Sequence, residues 1–457
     1  MRWVPAHLLS IATYLLALVL ISQVLRARRA PSSTLAWLLV IALAPYAGVP
    51  LYLIFGGRKL KRMAAAKAPL FGQRSRDGEG VSDIERVLCT AGIPAAVDGC
   101  AVELLPTGEA AYRAIIEMLD GAKRSIHIAT FILSGDEVGQ AVLERLERKA
   151  AAGVEVRLLI DALFSFRADR RRLTALIRSG ARVAYFMPVL HVPFRGHANL
   201  RNHRKIAVVD GDCAMVGGMN LAREYMGPVP LAGRWCDVSM RVRGPAVAAI
   251  DALFVSDWAF AAGETLARPT TPLPIDARSG AVLQVVPSGP DVASDALYDA
   301  ILSGLFQARR RIWIATPYFI PDEALACALA LAARRGVDVR IIVPARSNHR
   351  AADLAGARYL RQIEQAGGQV CPYLPGMLHA KVIVFDDSVG VLGSANFDMR
   401  SLFLDYEIAL FFYSKEEIDV LAGWFERTRS DCSDRLAPAG RGRALAEDLG
   451  RLLAPLV

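Results

Sequence analysis

Two stretches of this chain repeat one pattern: HRKIAVVDGDCAMVGGMN, from His203 to Asn220, and HAKVIVFDDSVGVLGSAN, from His379 to Asn396. Both read H-x-K, four residues, Asp, six residues, then Gly-Gly/Ser-x-Asn. The shared polar residues are His203 and His379, Lys205 and Lys381, Asp210 and Asp386, and Asn220 and Asn396. A duplicated base or nucleophile beside a duplicated phosphate-binding cation predicts two half-sites that face each other across a phosphodiester.

The spacing within each motif places its polar side chains together. His203 and Lys205 alternate along a strand, as do His379 and Lys381, so each pair shares one face. The glycines that follow let the backbone approach a phosphate closely, and the amide of Asn220 or Asn396 can donate to it. These residues are therefore the candidate catalytic and phosphate-binding groups.

The sequence around the motifs is also repeated. AYRAIIEMLDGAKRSIHIATFIL, from Ala111, is echoed by ALYDAILSGLFQARRRIWIATPYFI, from Ala296, and each is followed by a second helix and strand. Strands that alternate with helices of crossover length indicate an α/β fold, and we predict a mostly parallel sheet in each half. Apolar strands such as KIAVVD and KVIVFD fit burial on both faces.

The N-terminus differs in character from the rest of the chain. Residues 8–25 and 35–55 form two charge-free apolar runs, each followed by a basic cluster. Their lengths are near the roughly 20 residues that span a bilayer, so we predict a two-helix transmembrane hairpin. A cleaved signal peptide and a buried soluble hairpin are the competing interpretations. Basic residues on both sides of the pair favour, modestly, a cytoplasmic catalytic region.

These patterns predict five segments. They are an N-terminal hairpin (1–62), a tether (63–105), a first half (106–266), a linker rich in Pro and Thr (267–280), and a second half ending in a helix (281–457). The net charge of +9 suits an anionic partner, either nucleic acid or lipid headgroups. The seven scattered cysteines show no metal-ligand spacing and indicate a reducing compartment.

Paired histidines can exchange a phosphodiester without a metal ion. One neutral imidazole attacks phosphorus while the other, protonated, donates to the departing alcohol. No carboxylate cluster accompanies the histidines, so we expect neither metal nor other cofactor. Each imidazole also needs an acceptor at its second ring nitrogen, and the candidates are Asp237 in GRWCDV and Glu407 in LDYEIAL.

With both motifs intact, the chain resembles the phospholipase D superfamily, whose members carry two H-x-K-x4-D motifs. More narrowly it resembles bacterial cardiolipin synthases. The similarity extends over nearly the whole chain and includes NHRKIAVVDG, GGMNLAREY, TPYFIPD, GSANFDMRSLFLDYE and the N-terminal RRAPSSTLAWLLVIALAPYAGVPLYLIFGGRK. The resemblance implies duplicated phospholipase D-like α/β-α-β-α sandwich halves with the site between them.

The resemblance also implies an activity and residue roles. Two phosphatidylglycerol molecules would give cardiolipin and glycerol through a covalent phosphatidyl-histidine. His203 and His379 match the nucleophile and general acid, with His203 favoured as nucleophile, although the pseudo-twofold repeat leaves the two roles exchangeable. Asp237 and Glu407 match the positions that orient the histidines, and Asp210 and Asp386 match the motif Asp, interpreted as structural support behind the motif.

Other functions remain open at this stage. A phospholipase D-type hydrolase differs only in whether water or a second lipid reaches the phosphohistidine. A superfamily nuclease is permitted by the charge, but the two apolar runs argue against it, so we expect no nucleic-acid partner. A non-enzymatic membrane scaffold would show degenerate motifs. The sequence does not identify the acceptor alcohol or the oligomeric state.

Overall fold

Fourteen of the sixteen strands that the structure describes form one sheet through both halves of the chain, and the other two form a separate parallel pair. The computed structural model describes residues 14–22, 24–25, 31–55, 67, 82–187, 200–267, 269–275, 280–292 and 294–453. The strands are β1 (Val97–Leu105), β2 (Ser125–Thr130), β3 (Glu155–Asp161), β4 (Arg182–Phe186), β5 (Ile206–Val209), β6 (Cys213–Gly217), β7 (Ser239–Arg243), β8 (Ala281–Ser288), β9 (Arg311–Ala315), β10 (Phe319–Ile320), β11 (Asp338–Pro344), β12 (Gln369–Tyr373), β13 (Val382–Phe385), β14 (Val389–Gly393), β15 (Phe397–Asp398) and β16 (Glu407–Phe412).

Helices cover both faces of this sheet. They are α1 (Pro31–Leu43), α2 (Pro45–Phe55), α3 (Asp83–Thr90), α4 (Gly108–Gly121), α5 (Glu137–Ala151), α6 (Arg170–Arg178), α7 (Ala246–Ala262), α8 (Ala296–Gln307), α9 (Glu323–Arg334), α10 (Arg350–Gln365), α11 (Met399–Phe403), α12 (Lys415–Arg429) and α13 (Arg441–Leu453). Helices α5 and α9 occupy the same place in the two halves, and both have an aspartate N-cap. The carboxylates of Asp136 and Asp322 accept hydrogen bonds from the first backbone N–H groups of these helices.

The sheet shows the internal repeat directly. Its order is β12-β11-β9-β13-β14-β16-β8-β1-β7-β6-β5-β2-β3-β4, and the antiparallel pair β1–β8 lies at the centre. Outward from that pair, the first half runs β1-β7-β6-β5-β2-β3-β4 and the second half repeats this order with its own strands. The predicted duplicated α/β architecture is therefore confirmed, and the two halves are related by a pseudo-twofold axis through the middle of the sheet.

The prediction of a mostly parallel sheet was wrong. Among the described strands of this sheet, only β2–β3–β4 and β9–β11–β12 are parallel, whereas β5, β6 and β7 and their counterparts pair antiparallel. The physical reason lies in the motif itself. A tight turn after Asp210 or Asp386 joins the two motif strands as a hairpin, which can only be antiparallel.

Three hydrophobic cores pack against the two faces of this sheet. One core lies under α7 and α12 and contains buried residues of both halves, including Trp258 and Trp424. Each half adds a core on the opposite face, under α4 and α5 in the first half and under α8 and α9 in the second. Because the first core is shared, folding of one half is coupled to folding of the other.

The predicted tether, 63–105, is partly integrated into the folded domain. Residues 97–105 form β1, which pairs with β7, so the sheet of the first half begins before the predicted boundary at 106. Helix α3 packs on α8 of the second half through Ile84 and Leu88. Lys67 is buried against Asp257 and Asp291. The alternating polarity of the sequence VDGCAVELL could have predicted the strand β1.

The predicted span 35–55 is not one helix. It divides at Ala44 into α1 and α2, and the second helix folds back so that the ring centroids of Trp37 and Tyr52 lie 5.1 Å apart. Pro45 explains the break, because proline disfavours helical backbone in the preceding residue. Gly48 permits the close return, since a Cβ there would lie 2.4 Å from the Val40 carbonyl oxygen.

The first predicted span, 8–25, is described only at 14–22 and 24–25, which are helical. Across the described ranges, no helix has both the length and the apolar character to cross a bilayer.

Candidate functional site

The two motifs meet at the centre of the molecule through reciprocal main-chain bonds. The N–H of His203 donates to the Tyr406 carbonyl at 2.9 Å, and the N–H of His379 donates to the Cys236 carbonyl at 2.7 Å. Each motif therefore begins on a backbone segment of the opposite half. This exchange fixes both histidines at one site between the halves.

The carboxylates that contact the histidines are also exchanged between the halves. Nδ1 of His203 lies 2.9 Å from Oε1 of Glu407, and Nδ1 of His379 lies 2.7 Å from Oδ2 of Asp237. Both carboxylates are buried. With Nδ1 bonded to a carboxylate, the lone pair of each imidazole is directed to Nε2, the nitrogen that remains for chemistry at phosphorus.

Different neighbours hold the two carboxylates in place. Oγ of Ser394 donates to the carboxylate of Glu407, and the hydroxyl of the buried Ser401 also helps to lower the pKa of this carboxylate. The residue equivalent to Ser394 is Gly218, where a Cβ would lie 2.3 Å from Oδ1 of Asp237. The Gly/Ser difference between the motifs therefore matches a difference in carboxylate packing, and it makes the halves chemically unequal.

A buried network of charged side chains contacts the backbone of Glu407. Nε of Arg204 donates to the Glu407 carbonyl at 3.0 Å, and its guanidinium bonds Asp257 at 2.7 Å and Asp291 at 3.3 Å. The ammonium of Lys67 binds the same two carboxylates, with 2.7 Å to Asp291. Two cations thus balance two buried anions, which limits the desolvation penalty. The network connects the segment after the N-terminal helices to the base of the site.

The motif lysines are buried beside the histidines. Nζ of Lys381 lies 2.7 Å from Nδ1 and 3.1 Å from Nε2 of His379, whereas Nζ of Lys205 donates to the His203 carbonyl at 2.6 Å. Lys205 also lies 5.3 Å from the ring centroid of Phe131. Two ammonium groups close to both imidazoles form an anion-binding centre suited to one phosphodiester.

The motif asparagines lie at the same centre and are buried. Oδ1 of Asn220 accepts from the N–H of Ile132 at 3.1 Å, which leaves its amide N–H groups as donors. Oδ1 of Asn396 has no hydrogen-bond partner in the part of the chain that the structure describes. Nδ2 of Asn220 likewise has no partner there. A buried donor without an acceptor is costly, so an anionic ligand that accepts from Asn220 would be favoured here.

Burial and charge set the protonation states of the site. Burial, together with the ammonium groups of Lys205 and Lys381, holds the pKa of His203 and of His379 well below the usual value. Burial raises the pKa of Glu407 to about 7 and lowers the pKa of Lys381 to about 8. Without a bound anion, both imidazoles are therefore neutral at neutral pH.

Burial likewise raises the pKa of Asp237 to about 7 and moves the pKa of Lys205 well below its usual value.

The motif aspartates lie away from this centre, at the far end of the motif strands. Asp210 accepts N–H bonds from Lys123, Arg124 and Ser125, and Asp386 accepts them from residues 309–311. Both have positive φ, 57° and 51°. This geometry supports the structural interpretation of the two residues, which hold the turn that joins the two motif strands.

Several groups at the site lay outside the sequence predictions. The hydroxyls of Ser394 and Ser401, the guanidinium of Arg204 and the ring of Phe131 carry no motif signal of their own. Ser394 had a visible cue in the Gly/Ser difference between the repeats, and Ser401 lies in the stretch GSANFDMRSLFLDYE that carries the family resemblance. Within the described ranges, no group of three or more His, Cys, Asp or Glu side chains is arranged to hold a metal ion.

Comparison with known proteins agrees with this architecture. The family described as "Cardiolipin synthase, PLD-like domain" matches residues 115–250 and 301–429, and "Phospholipase_D-nuclease N-terminal" matches residues 15–57. The crystal structure of phosphatidylserine synthase from Haemophilus influenzae Rd KW20 has a TM-score of 0.62 at 18% identity, covering 82% of this chain and 100% of that one. That likeness concerns the fold.

Relatives in sequence are closer. Cardiolipin synthase from Halalkalibacterium halodurans is 33% identical over 452 residues, covering 94% of this chain and 90% of that protein. Cardiolipin synthase 1 from Bacillus anthracis is 34% identical over 458 residues, with the same coverage of each chain. With a matching family over both halves and relatives similar across nearly its full length, the chain belongs to the cardiolipin synthase family of phospholipase D-like phosphatidyltransferases.

Proposed function

We propose that this protein transfers a phosphatidyl group from one phosphatidylglycerol to a second, giving cardiolipin and glycerol through a phosphatidyl-histidine. The observation that carries the proposal is the exchanged pairing: His203 with Glu407 and His379 with Asp237, around two buried lysines. Such a centre offers two imidazole Nε2 atoms to one phosphodiester.

In the first step, Nε2 of one histidine attacks phosphorus and the bond from phosphorus to the glycerol oxygen breaks. The departing glycerol takes its proton from Nε2 of the other histidine. Lys205, Lys381, Asn220 and Asn396 stabilise charge on the nonbridging oxygens. We propose His203 as the nucleophile and His379 as the acid.

The acid must be protonated before this step, although both imidazoles are neutral in the empty site. The lysines contribute to the low pKa of His379, and a bound phosphodiester anion neutralises their field. Substrate binding therefore raises the pKa of His379, so that the proton is gained together with the lipid. Asp237 stabilises the resulting imidazolium.

In the second step, the headgroup hydroxyl of another phosphatidylglycerol loses its proton to His379 and attacks phosphorus. The bond from phosphorus to Nε2 of His203 breaks, and cardiolipin forms. Water at the same position would give phosphatidic acid instead, so the acceptor decides between transferase and hydrolase.

The test is product analysis with one defined lipid. Purified full-length protein given phosphatidylglycerol alone should release one glycerol for each four-chain lipid formed, measured by mass spectrometry. Phosphatidic acid as the only product would identify a hydrolase and overturn the proposal. Cleavage of single-stranded DNA in place of lipid turnover would identify a nuclease.

The pH dependence of kcat/KM should be bell-shaped. The carboxylates of Asp237 and Glu407, with pKa values of about 7, are protonated as the pH falls and then no longer accept from Nδ1, so activity is lost on the acid side. Lys381, with a pKa of about 8, loses its charge as the pH rises, so phosphate binding weakens on the basic side. Initial rates measured from pH 5 to 10 check both limbs.

The basic limb can be assigned with Lys381→Arg, because a guanidinium stays charged across this range. We expect that limb to move up by at least about one pH unit in the variant. The matched control is Lys415→Arg, because Lys415 is exposed and its substitution should leave the basic limb unchanged. A basic limb that stays near pH 8 in Lys381→Arg would remove Lys381 from this role.

We also propose that the N-terminal region associates the protein with the bacterial inner membrane, as a multi-pass segment with the catalytic halves in the cytoplasm. Large apolar side chains are exposed there, among them Leu18 and Leu43 at 64% and 81%. Cys327 is an exposed cysteine of the catalytic part and reports its side of the membrane. A membrane-impermeant maleimide should label it only after spheroplasts are permeabilised. Labelling of intact spheroplasts that is lost in Cys327→Ser would place the catalytic part outside.

A further inference from the structure

A chain of aromatic rings connects the protein surface to His203. The ring centroids of Phe166 and Phe164 lie 6.0 Å apart, those of Phe164 and Phe131 4.8 Å, and those of Phe131 and His203 4.9 Å. Phe166 is 67% exposed, although solvent exposure of a phenylalanine gives the fold no stabilisation. We call Phe131, Phe164 and Phe166 the aromatic ladder.

The outer part of the ladder lies on a loop that main-chain bonds hold at both ends. The N–H of Ala162 donates to the Phe186 carbonyl at 2.9 Å, and the N–H of Gly135 donates to the Arg167 carbonyl at 2.8 Å. The loop follows β3, whose last residue, Asp161, accepts from the N–H of Asn202 at 3.0 Å, next to His203. Residues Ser165–Arg167 form a short 3₁₀ helix, and Leu163 is a second exposed apolar side chain there, at 37%. The loop therefore presents apolar groups to solvent at a fixed place beside the site.

Positive charge accompanies these apolar groups. Arg170 and Arg171 open the first turn of α6, directly after the loop, and both are exposed. Exposed aromatic and aliphatic side chains next to arginines match a surface of anionic phospholipid, which offers acyl chains below its phosphates.

The equivalent loop of the second half also carries exposed arginines, Arg346 and Arg350, but contains no phenylalanine. After β11 the chain reads ARSNHR, and the hydroxyl of Tyr318 bonds Asn348 while its ring contacts His349 at 5.8 Å. The pseudo-twofold repeat would permit two similar loops, yet one is aromatic and the other is polar. The two sides of the site are thus suited to different parts of a phospholipid.

We propose that the aromatic ladder, with Leu163, Arg170 and Arg171, docks on anionic bilayer and guides the diacyl part of the lipid to His203. The polar loop on the other side then faces the glycerol headgroup. The inference rests on the proposed phosphatidyl transfer and adds to it the direction in which the lipid enters.

The test compares lipid in a bilayer with dissolved lipid. The full chain is reconstituted in phosphatidylcholine vesicles, with phosphatidylglycerol either as a bilayer component or added as monomeric dihexanoyl phosphatidylglycerol. Leu163→Ser/Phe166→Ser should lower kcat/KM for the bilayer substrate roughly tenfold or more, and change that for the dissolved substrate less than about twofold. Arg170→Gln/Arg171→Gln should raise the surface KM about fivefold for each arginine, with a weaker salt dependence than the unmodified chain.

The chain offers a matched control in Phe306→Ser. Phe306 is 52% exposed and lines a cleft beside Asp386, at the end of the motif strands that lies away from the histidines. Phe306→Ser should leave kcat/KM unchanged for both the bilayer and the dissolved substrate. Equal loss on both substrates in Leu163→Ser/Phe166→Ser, or no loss on either, would overturn the ladder as a lipid path. An unmodified chain that forms no cardiolipin from either lipid would overturn the proposed function instead.

Discussion

His203→Asn and His379→Asn should each lower cardiolipin formation by about 10³-fold or more, because either change removes an Nε2 atom that no neighbour can replace. Asparagine keeps a donor near the position of Nδ1, so the buried carboxylates of Glu407 and Asp237 retain a partner and the fold is preserved. The measurement is the rate of glycerol release from phosphatidylglycerol in mixed micelles, with the thermal unfolding midpoint as the check on folding.

Another histidine that pairs with a carboxylate provides the control. Nδ1 of His127 lies 2.7 Å from Oδ1 of Asp251, a pairing like those at the site, yet His127 is outside both motifs. His127→Asn should keep activity within about threefold of the unmodified chain while making a comparable structural change. Substantial turnover in either motif variant would show that one histidine suffices and would contradict the two-half-site proposal.

The same variants separate the nucleophile from the acid. A phosphatidyl ester of p-nitrophenol has a leaving group that departs without a proton, so the variant lacking only the acid should still release one nitrophenolate per site and retain the lipid covalently. We expect this burst in His379→Asn and not in His203→Asn. The reverse pattern would exchange the two roles while preserving the mechanism.

The sequence could predict the motif residues as site residues because their relation is local. A histidine and a lysine two positions apart share a strand face in any sheet, so their joint position needed no knowledge of topology. Asp237 and Glu407, distant in sequence from the histidines that they contact, were also predicted as candidates, because they are acidic residues before apolar strands. Which histidine each carboxylate contacts depends on how the backbones of the two halves pair at the site. A local sequence pattern does not predict that pairing.

Errors arose where long-range geometry overrides a local pattern. Buried apolar strands suggested parallel pairing, but a fully buried hairpin has the same composition and pairs antiparallel. The charge-free run 35–55 suggested one span, and the backbone preference imposed by Pro45 divides it. The aromatic ladder gave no signal either, because Phe131, Phe164 and Phe166 are separated in sequence and come together only when β2 and β3 pair.

Glu407→Gln and Asp237→Asn should lower kcat by about 10²–10⁴-fold while KM stays within about threefold. Each carboxylate accepts from Nδ1 of the histidine in the opposite half of the chain. An amide at the same position can instead turn an N–H group towards Nδ1. The imidazole then presents the wrong tautomer, with the proton at Nε2, and a nucleophile in that form has no lone pair for phosphorus. The larger loss is expected in Glu407→Gln, since its partner, His203, is the proposed nucleophile. Asp251→Asn, at the His127 pair, is the matched control.

A direct readout of the exchanged pairing is the ¹⁵N spectrum of histidine-labelled protein. Glu407→Gln should change the tautomer of His203 and leave His379 unaltered, whereas Asp237→Asn should do the opposite, and the motif variants assign the signals. A merely structural carboxylate would lower stability without this selectivity. A tautomer change at His379 in Glu407→Gln would contradict the pairing across the halves, and with it the argument that each half of the chain completes the catalytic group of the other.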